Sequence, residues 1–132
     1  MYKKYFISGI IFCLLAVAIG AFGAHGLKSI TKDVKLLTSF ETGVRYQFFH
    51  GLALLVAPFV LEKIHQESKA IWRLFTIGIL LFSFSIYVLV FAKVGGIDVL
   101  AKIMGPITPI GGIVLIVGWA LLLFKVFKSK VI

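Results

Sequence analysis

Four long apolar stretches, at about residues 5–24, 42–61, 71–92 and 106–124, constrain this chain more than any other feature. A helix rising 1.5 Å per residue needs about 20 residues to cross a hydrocarbon core roughly 30 Å thick, and each stretch meets that length. In 132 residues that are 61% hydrophobic and 14% charged, no soluble fold hides so much apolar surface. Small domains leave too large a share of their surface wet. The expected fold is one all-α membrane domain over residues 1–132, with four transmembrane helices in an antiparallel bundle. Lys3 and Lys4 before Tyr5 imitate a signal peptide, but the apolar core behind them exceeds the usual h-region of about 7–15 residues. Residues 5–24 are therefore read as the first spanning helix.

The formal net charge of +9 fits the same picture. Lys and Arg gather just outside the apolar stretches, where they anchor helix ends and meet anionic headgroups. They are dispersed through short connections, without the contiguous basic face of a nucleic-acid binder, so no nucleic-acid partner is expected. Eight bases lie on the chain-end side (Lys3, Lys4, Lys63, Lys69, Arg73, Lys125, Lys128 and Lys130) against six on the other. That excess assigns a cell-membrane, multi-pass protein with cytoplasmic chain ends. Cys13 is alone, which leaves no intramolecular disulfide and an inert thiol in an apolar setting.

Along the chain, Gly9, Cys13, Ala16, Gly20 and Ala24 recur every three or four residues and give the first helix a small-residue face. Gly26 is expected to end it as a left-handed cap. Leu27–Leu37 alternates an apolar face with Lys28, Lys32 and Lys35, the pattern of a short amphipathic helix lying in the interface. Thr38 and Glu41 then form a capping box that starts the second span, with Glu41 and Arg45 as a helix-start ion pair. Residues 97–104 repeat the amphipathic pattern, with Asp98 and Lys102 opposite Ile97, Leu100 and Met104. Gly105–Pro106 restarts the chain as the fourth span. Two interfacial segments are thus expected, in the first and third connections.

Polar residues inside the spans gather at the ends nearest those two connections. His25, Tyr46, Gln47, His50, Tyr87 and Thr108 form the candidate polar site, in one leaflet. An unsatisfied polar group in hydrocarbon costs several kcal/mol, so these side chains should face neighbouring helices or trapped water. Gly20, Gly23, Gly111 and Gly112 are read as close-packing positions. The last two are expected to seat the fourth helix on the small-residue face of the first.

GAFGAHGL at 20–27, TGVRYQFFHGLALL at 42–55, TPIGG at 108–112 and GWALLL at 118–123 together resemble domain of unknown function 423. These are small bacterial membrane proteins whose animal relatives are called transmembrane protein 256. The resemblance implies four spanning helices, a plasma-membrane location in bacteria, and a pattern centred on the positions of His25, Tyr46, Gln47 and His50. It implies no activity. It does not require a base at Arg45, so the Glu41–Arg45 pair is read locally.

No nucleophile–base–orienter set, phosphate-cradling loop or zinc signature is present in the sequence, so no enzyme, cofactor or metal is expected. The leading expectation is a non-enzymatic protein that binds membrane lipids or a membrane-protein partner, or assembles as a homo-oligomer. The alternative is a small-molecule or ion transporter acting as an oligomer. A third reading is a haem or metal redox module on His25 and His50.

Overall fold

The computed structural model describes residues 2–131. They form four long helices: α1 (Lys3–Ile30), α2 (Val34–Lys63), α3 (Lys69–Val94) and α4 (Asp98–Lys128). All four are long and apolar enough to cross a membrane. Three, five and three residues connect them, so consecutive helices are antiparallel neighbours. The second connection passes through His65 at φ 53°, and the third through Gly96 at φ 70°.

At 26 to 31 residues, the helices run about 39–47 Å, well beyond the hydrocarbon thickness. This length revises the expected connections. Leu27–Ile30 is the last turn of α1, Val34–Leu37 is the first turn of α2, and residues 98–104 open α4. Neither amphipathic segment is a separate element. A polar-faced turn at the end of an apolar helix has one sequence pattern whether it lies flat or runs straight into the headgroups, and here it runs straight. Gly26 lies within a π-helical turn, Gly23–Leu27, instead of capping the helix. Pro106 and Pro109 sit inside α4, as membrane helices allow when neighbours take up the freed backbone groups.

The start of α2 also differs from expectation. Asp33 is the N-cap, its Oδ1 accepting from Lys35 N at 2.9 Å and Leu36 N at 3.3 Å. Thr38 is already helical, and its carbonyl accepts from Thr42 Oγ1 at 3.0 Å. Glu41 and Arg45 therefore lie two and three turns into α2, exposed on its surface. They are not helix-start residues.

Glycines mark where helices touch. On α1 and α2, a Cβ at Gly51 would meet Cys13 Sγ at 2.7 Å, and one at Gly9 would meet Gly51 O at 2.8 Å. On α3 and α4, Gly118 faces the Phe75 ring and Gly78 faces Leu115. Gly111 lies against the backbone of Leu81 and Phe82. Gly111 and Gly112 thus pack on α3, not on the small-residue face of α1. That face is already used by α2, with Gly20 against Val44 and Gly23 against Phe40. Helices joined by short connections pair first, which gives two hairpins, α1–α2 and α3–α4. The hairpins join through α2 and α3, where Gly43 meets Tyr87 and the Phe40 and Tyr87 rings lie 5.0 Å apart.

The core has two parts. One, near the chain ends, holds Tyr5, Leu54, Leu61, Ile71, Phe75 and Ile79. The other, near the short connections, holds Leu27, Phe40, Ile86, Tyr87 and Val90. Ile10, Leu14 and Val17 of α1 and Ile113 and Ile116 of α4 point outward, as lipid-facing side chains do.

Candidate functional site

Gln47 is the centre of the polar residues. It is fully buried on α2, where its Nε2 donates to the Phe12 carbonyl of α1 at 2.9 Å. Its Oε1 accepts from the Tyr87 hydroxyl of α3 at 2.7 Å. One amide thereby ties three helices together.

One turn further along α2, His50 is held from both sides. Trp119 Nε1 of α4 lies 3.0 Å from His50 Nε2. An indole N–H can only donate, so Nε2 is an acceptor and the ring proton sits on Nδ1. Nδ1 donates in turn to the Tyr46 carbonyl at 2.7 Å. The imidazole is thus a neutral ring with both nitrogens used, wedged between Tyr46, Phe75 and Trp119.

Two further hydroxyl contacts link other helices. Ser85 and Thr108 join α3 to α4 at 2.7 Å. Trp72 Nε1 of α3 donates to Ser8 Oγ of α1 at 2.9 Å. Thr76 Oγ1 and Ser83 Oγ are buried without a partner among the described residues, and Ser83 lies in a second π-helical turn, Leu80–Phe84.

The six candidate residues therefore do not converge on one site. Gln47 and Tyr87 share a bond, while His50 and Tyr46 form a neighbouring unit. Thr108 belongs to a separate contact. His25 is exposed on the π-helical turn of α1, about 15 Å from His50 along the bundle axis, and shares no contact with it. Two histidines so separated cannot ligate one ion. Among the described residues, no group of three His, Cys, Asp or Glu side chains is placed to hold a metal.

Helix length also shifts the depth of these groups. The midpoint of α2 falls between Phe48 and Phe49, so Gln47 and His50 lie within about 3 Å of it. On α4, Thr108 lies about 8 Å to one side of the midpoint and Trp119 about 9 Å to the other. The polar groups form a layer around the helix centres. Ser85 is one of the polar residues the sequence places at that end of α3, whereas the Phe12 carbonyl and Trp119 are not among the expected partners. Of these, Trp119 carried a signal, since a partly buried indole N–H generally finds a partner.

Exposed charge is distributed differently. Lys93 and Lys102 lie about 17 Å from the midpoints of α3 and α4, farther than half a hydrocarbon thickness of about 15 Å. They flank a groove of about 330 Å³ between α3 and α4, with Leu89, Asp98, Ala101 and Gly105. The groove continues past Leu89 and Gly105 into a second part of about 370 Å³, walled by Phe82, Ile86 and Pro109, with Ser39, Thr42 and Thr108 at its side. No atom beyond its own helix lies within 4 Å of where a Gly105 Cβ would sit, so the groove is open there.

The family model described as Protein of unknown function (DUF423) matches residues 19–112. Similar relatives include the UPF0382 membrane protein YwdK of Bacillus subtilis, 40% identical over 129 residues covering 96% of this chain and 98% of that one. The UPF0382 membrane protein SAB0533 of Staphylococcus aureus is 39% identical over 127 residues, covering 96% and 97%. A UPF0382 membrane protein of Schizosaccharomyces pombe is 40% identical over 110 residues, covering 83% and 90%. No solved structure matches the chain.

Proposed function

We propose a phospholipid-binding role for this chain, which belongs to the DUF423 family and is a membrane protein with four candidate spans. The observation that carries the reading is the α3–α4 groove. Two ammonium groups stand at its headgroup-depth mouth, and a mostly apolar surface groove runs from them along α3 and α4 towards mid-helix. A phosphodiester sits between Lys93 and Lys102, and an acyl chain lies along Leu89, Ile86, Phe82 and Pro109. Asp98, in the first turn of α4, answers the positive end of the helix dipole and leaves the lysines to the phosphate.

Binding, and not bond-breaking chemistry, is what the remaining residues support. Gln47, His50, Ser85, Thr108 and Tyr87 spend their hydrogen bonds on one another, on Trp119 or on backbone. The interior of one copy is filled by Gln47, Leu54, Phe75 and Ile79, which favours a ligand at the perimeter over passage through the middle. We place the protein in the cell membrane with cytoplasmic chain ends, so the groove mouth opens on the opposite face.

Native mass spectrometry of the detergent-extracted protein tests this. The expected result is one retained phospholipid per chain, with retention reduced at least about tenfold in Lys93→Gln/Lys102→Gln, a 1.4 kcal/mol change. Equal retention by the double variant would end the proposal. Flux in proteoliposomes that depends on His50 or Gln47 would replace it with transport.

A further inference from the structure

We infer that a second copy of this chain docks on the α1–α2 face around Glu41 and Arg45, through reciprocal ion pairs across a two-fold axis along the membrane normal. This face is separate from the α3–α4 groove, so the two readings stand or fall independently.

Depth is the first argument. Lys28, Lys35, Lys93 and Lys102 all lie about 16–20 Å from the midpoints of their helices, where headgroups and water solvate them. Glu41 lies about 11 Å from the midpoint of α2 and Arg45 about 5 Å. Packing sets α1 and α2 in the same register: Val44 touches Gly20 and Phe40 touches Gly23, which lie about 5 and 10 Å from the midpoint of α1. Both charged side chains are nevertheless exposed. Charged groups at this depth face a protein interior or a water-filled cavity, because hydrocarbon does not solvate them. A single copy offers Glu41 and Arg45 no such cover.

Shape is the second argument. Glu41 and Arg45 edge a groove of about 290 Å³ whose other walls are Gly20, Gly23, Ala24, Phe40 and Val44. Gly20 and Gly23 already seat Val44 and Phe40 of α2, so the wall open to a second copy is Ala24, exposed and small enough to let another helix come close.

Charge complementarity selects the occupant. Under a two-fold axis along the normal, a carboxylate and a guanidinium on one face become self-complementary, because each Glu41 meets the Arg45 of the other copy. The four-residue offset is about 6 Å along the axis, a span an extended arginine side chain covers. A lipid phosphate would have to sink well below its usual depth to meet the same Arg45. The burial that removes these charges from lipid is what the dimer supplies.

The test is single-molecule photobleaching of fluorophore-labelled full-length chain in phosphatidylethanolamine/phosphatidylglycerol vesicles, at varied protein-to-lipid ratio. Wild type is expected to dimerise, and Glu41→Arg alone or Arg45→Glu alone to weaken this at least about tenfold. Mixing the two variants should restore dimers as mixed pairs, which also shows that each variant is folded. Ala24→Leu adds bulk on the outer wall and should block dimerisation with both charges intact. A monomeric wild type would overturn the inference. So would variants that dimerise like wild type, or that retain helical circular dichroism and stay monomeric when mixed. An ion pair confined to one helix, or a lipid held at Arg45 of a monomer, gives one of those overturning results.

Discussion

Trp119 on α4 donates its indole N–H to His50 on α2 at 3.0 Å, bridging two helices whose backbones otherwise stay apart. The bond fixes the histidine tautomer and seats the Trp119 ring 5.0 Å from Phe75 of α3, so three helices are registered by one contact.

Removing that donor while keeping an aromatic ring isolates its contribution. Trp119→Phe should lower the unfolding free energy by about 0.5–2 kcal/mol, as inter-helix bonds in membranes average about 0.6 and reach about 1.7. A double-mutant cycle with His50→Leu, read by steric trapping in bicelles, should give a coupling energy of similar size. A coupling of zero would mean the two rings merely pack.

Gln47 should matter more than either of its partners. Gln47→Ala removes two inter-helix bonds and opens a cavity beneath Phe12, an expected cost of about 2–4 kcal/mol. Tyr87→Phe removes one bond and keeps the ring, an expected cost of about 0.5–1.5 kcal/mol. The ordering is checked by denaturant titration of helicity in mixed micelles. If Tyr87→Phe cost as much as Gln47→Ala, the amide would not be the hub.

These two sites show what could be read from sequence and what could not. Four spans follow from hydropathy, because backbone in hydrocarbon has few options besides a helix. Where each helix stops is set outside the hydrocarbon, and there amphipathic turns such as Val34–Leu37 and 98–104 fit an interfacial segment or a continuing helix equally well. That ambiguity moved the start of α2 by a turn and more. It took Glu41 and Arg45 from the helix start to positions two and three turns into α2, and Gln47 and His50 to the middle of that helix. That Gln47 and His50 need partners was legible. That the partners are the Phe12 carbonyl and Trp119 depends on which helices pair. The small-residue faces of α1 and α4 do not declare that choice, so the sequence alone does not show that Gly111 lies on α3 and not on α1.

The start of α2 can be tested directly. Asp33 accepts from two backbone N–H groups, so Asp33→Ala should cost about 0.5–2 kcal/mol. It should also speed hydrogen exchange at Lys35 and Leu36. Thr38 lies inside the helix, and Thr38→Ala should change stability by no more than about 0.5 kcal/mol. The reverse ordering would restore the Thr38–Glu41 capping box as the true helix start.

Adjacent glycines on α4 should respond in opposite ways. A Cβ on Gly111 would overlap the backbone of Leu81 and Phe82, which cannot swing aside as a side chain can. α3 and α4 must then separate or shift, and Gly111→Ala should cost about 1–3 kcal/mol or more. At Gly112 the nearest atom is Phe82 Cδ2 at 3.6 Å, an ordinary van der Waals contact. There the added methyl group costs no room, and alanine removes backbone entropy from the unfolded chain, so Gly112→Ala should be neutral or stabilising by up to about 1 kcal/mol. Thermal unfolding in one detergent reads both variants. Gly111→Ala as stable as wild type would mean that α4 does not lie against the π-helical turn of α3. The Ser85–Thr108 bond, which needs the same close approach, would then fail with it.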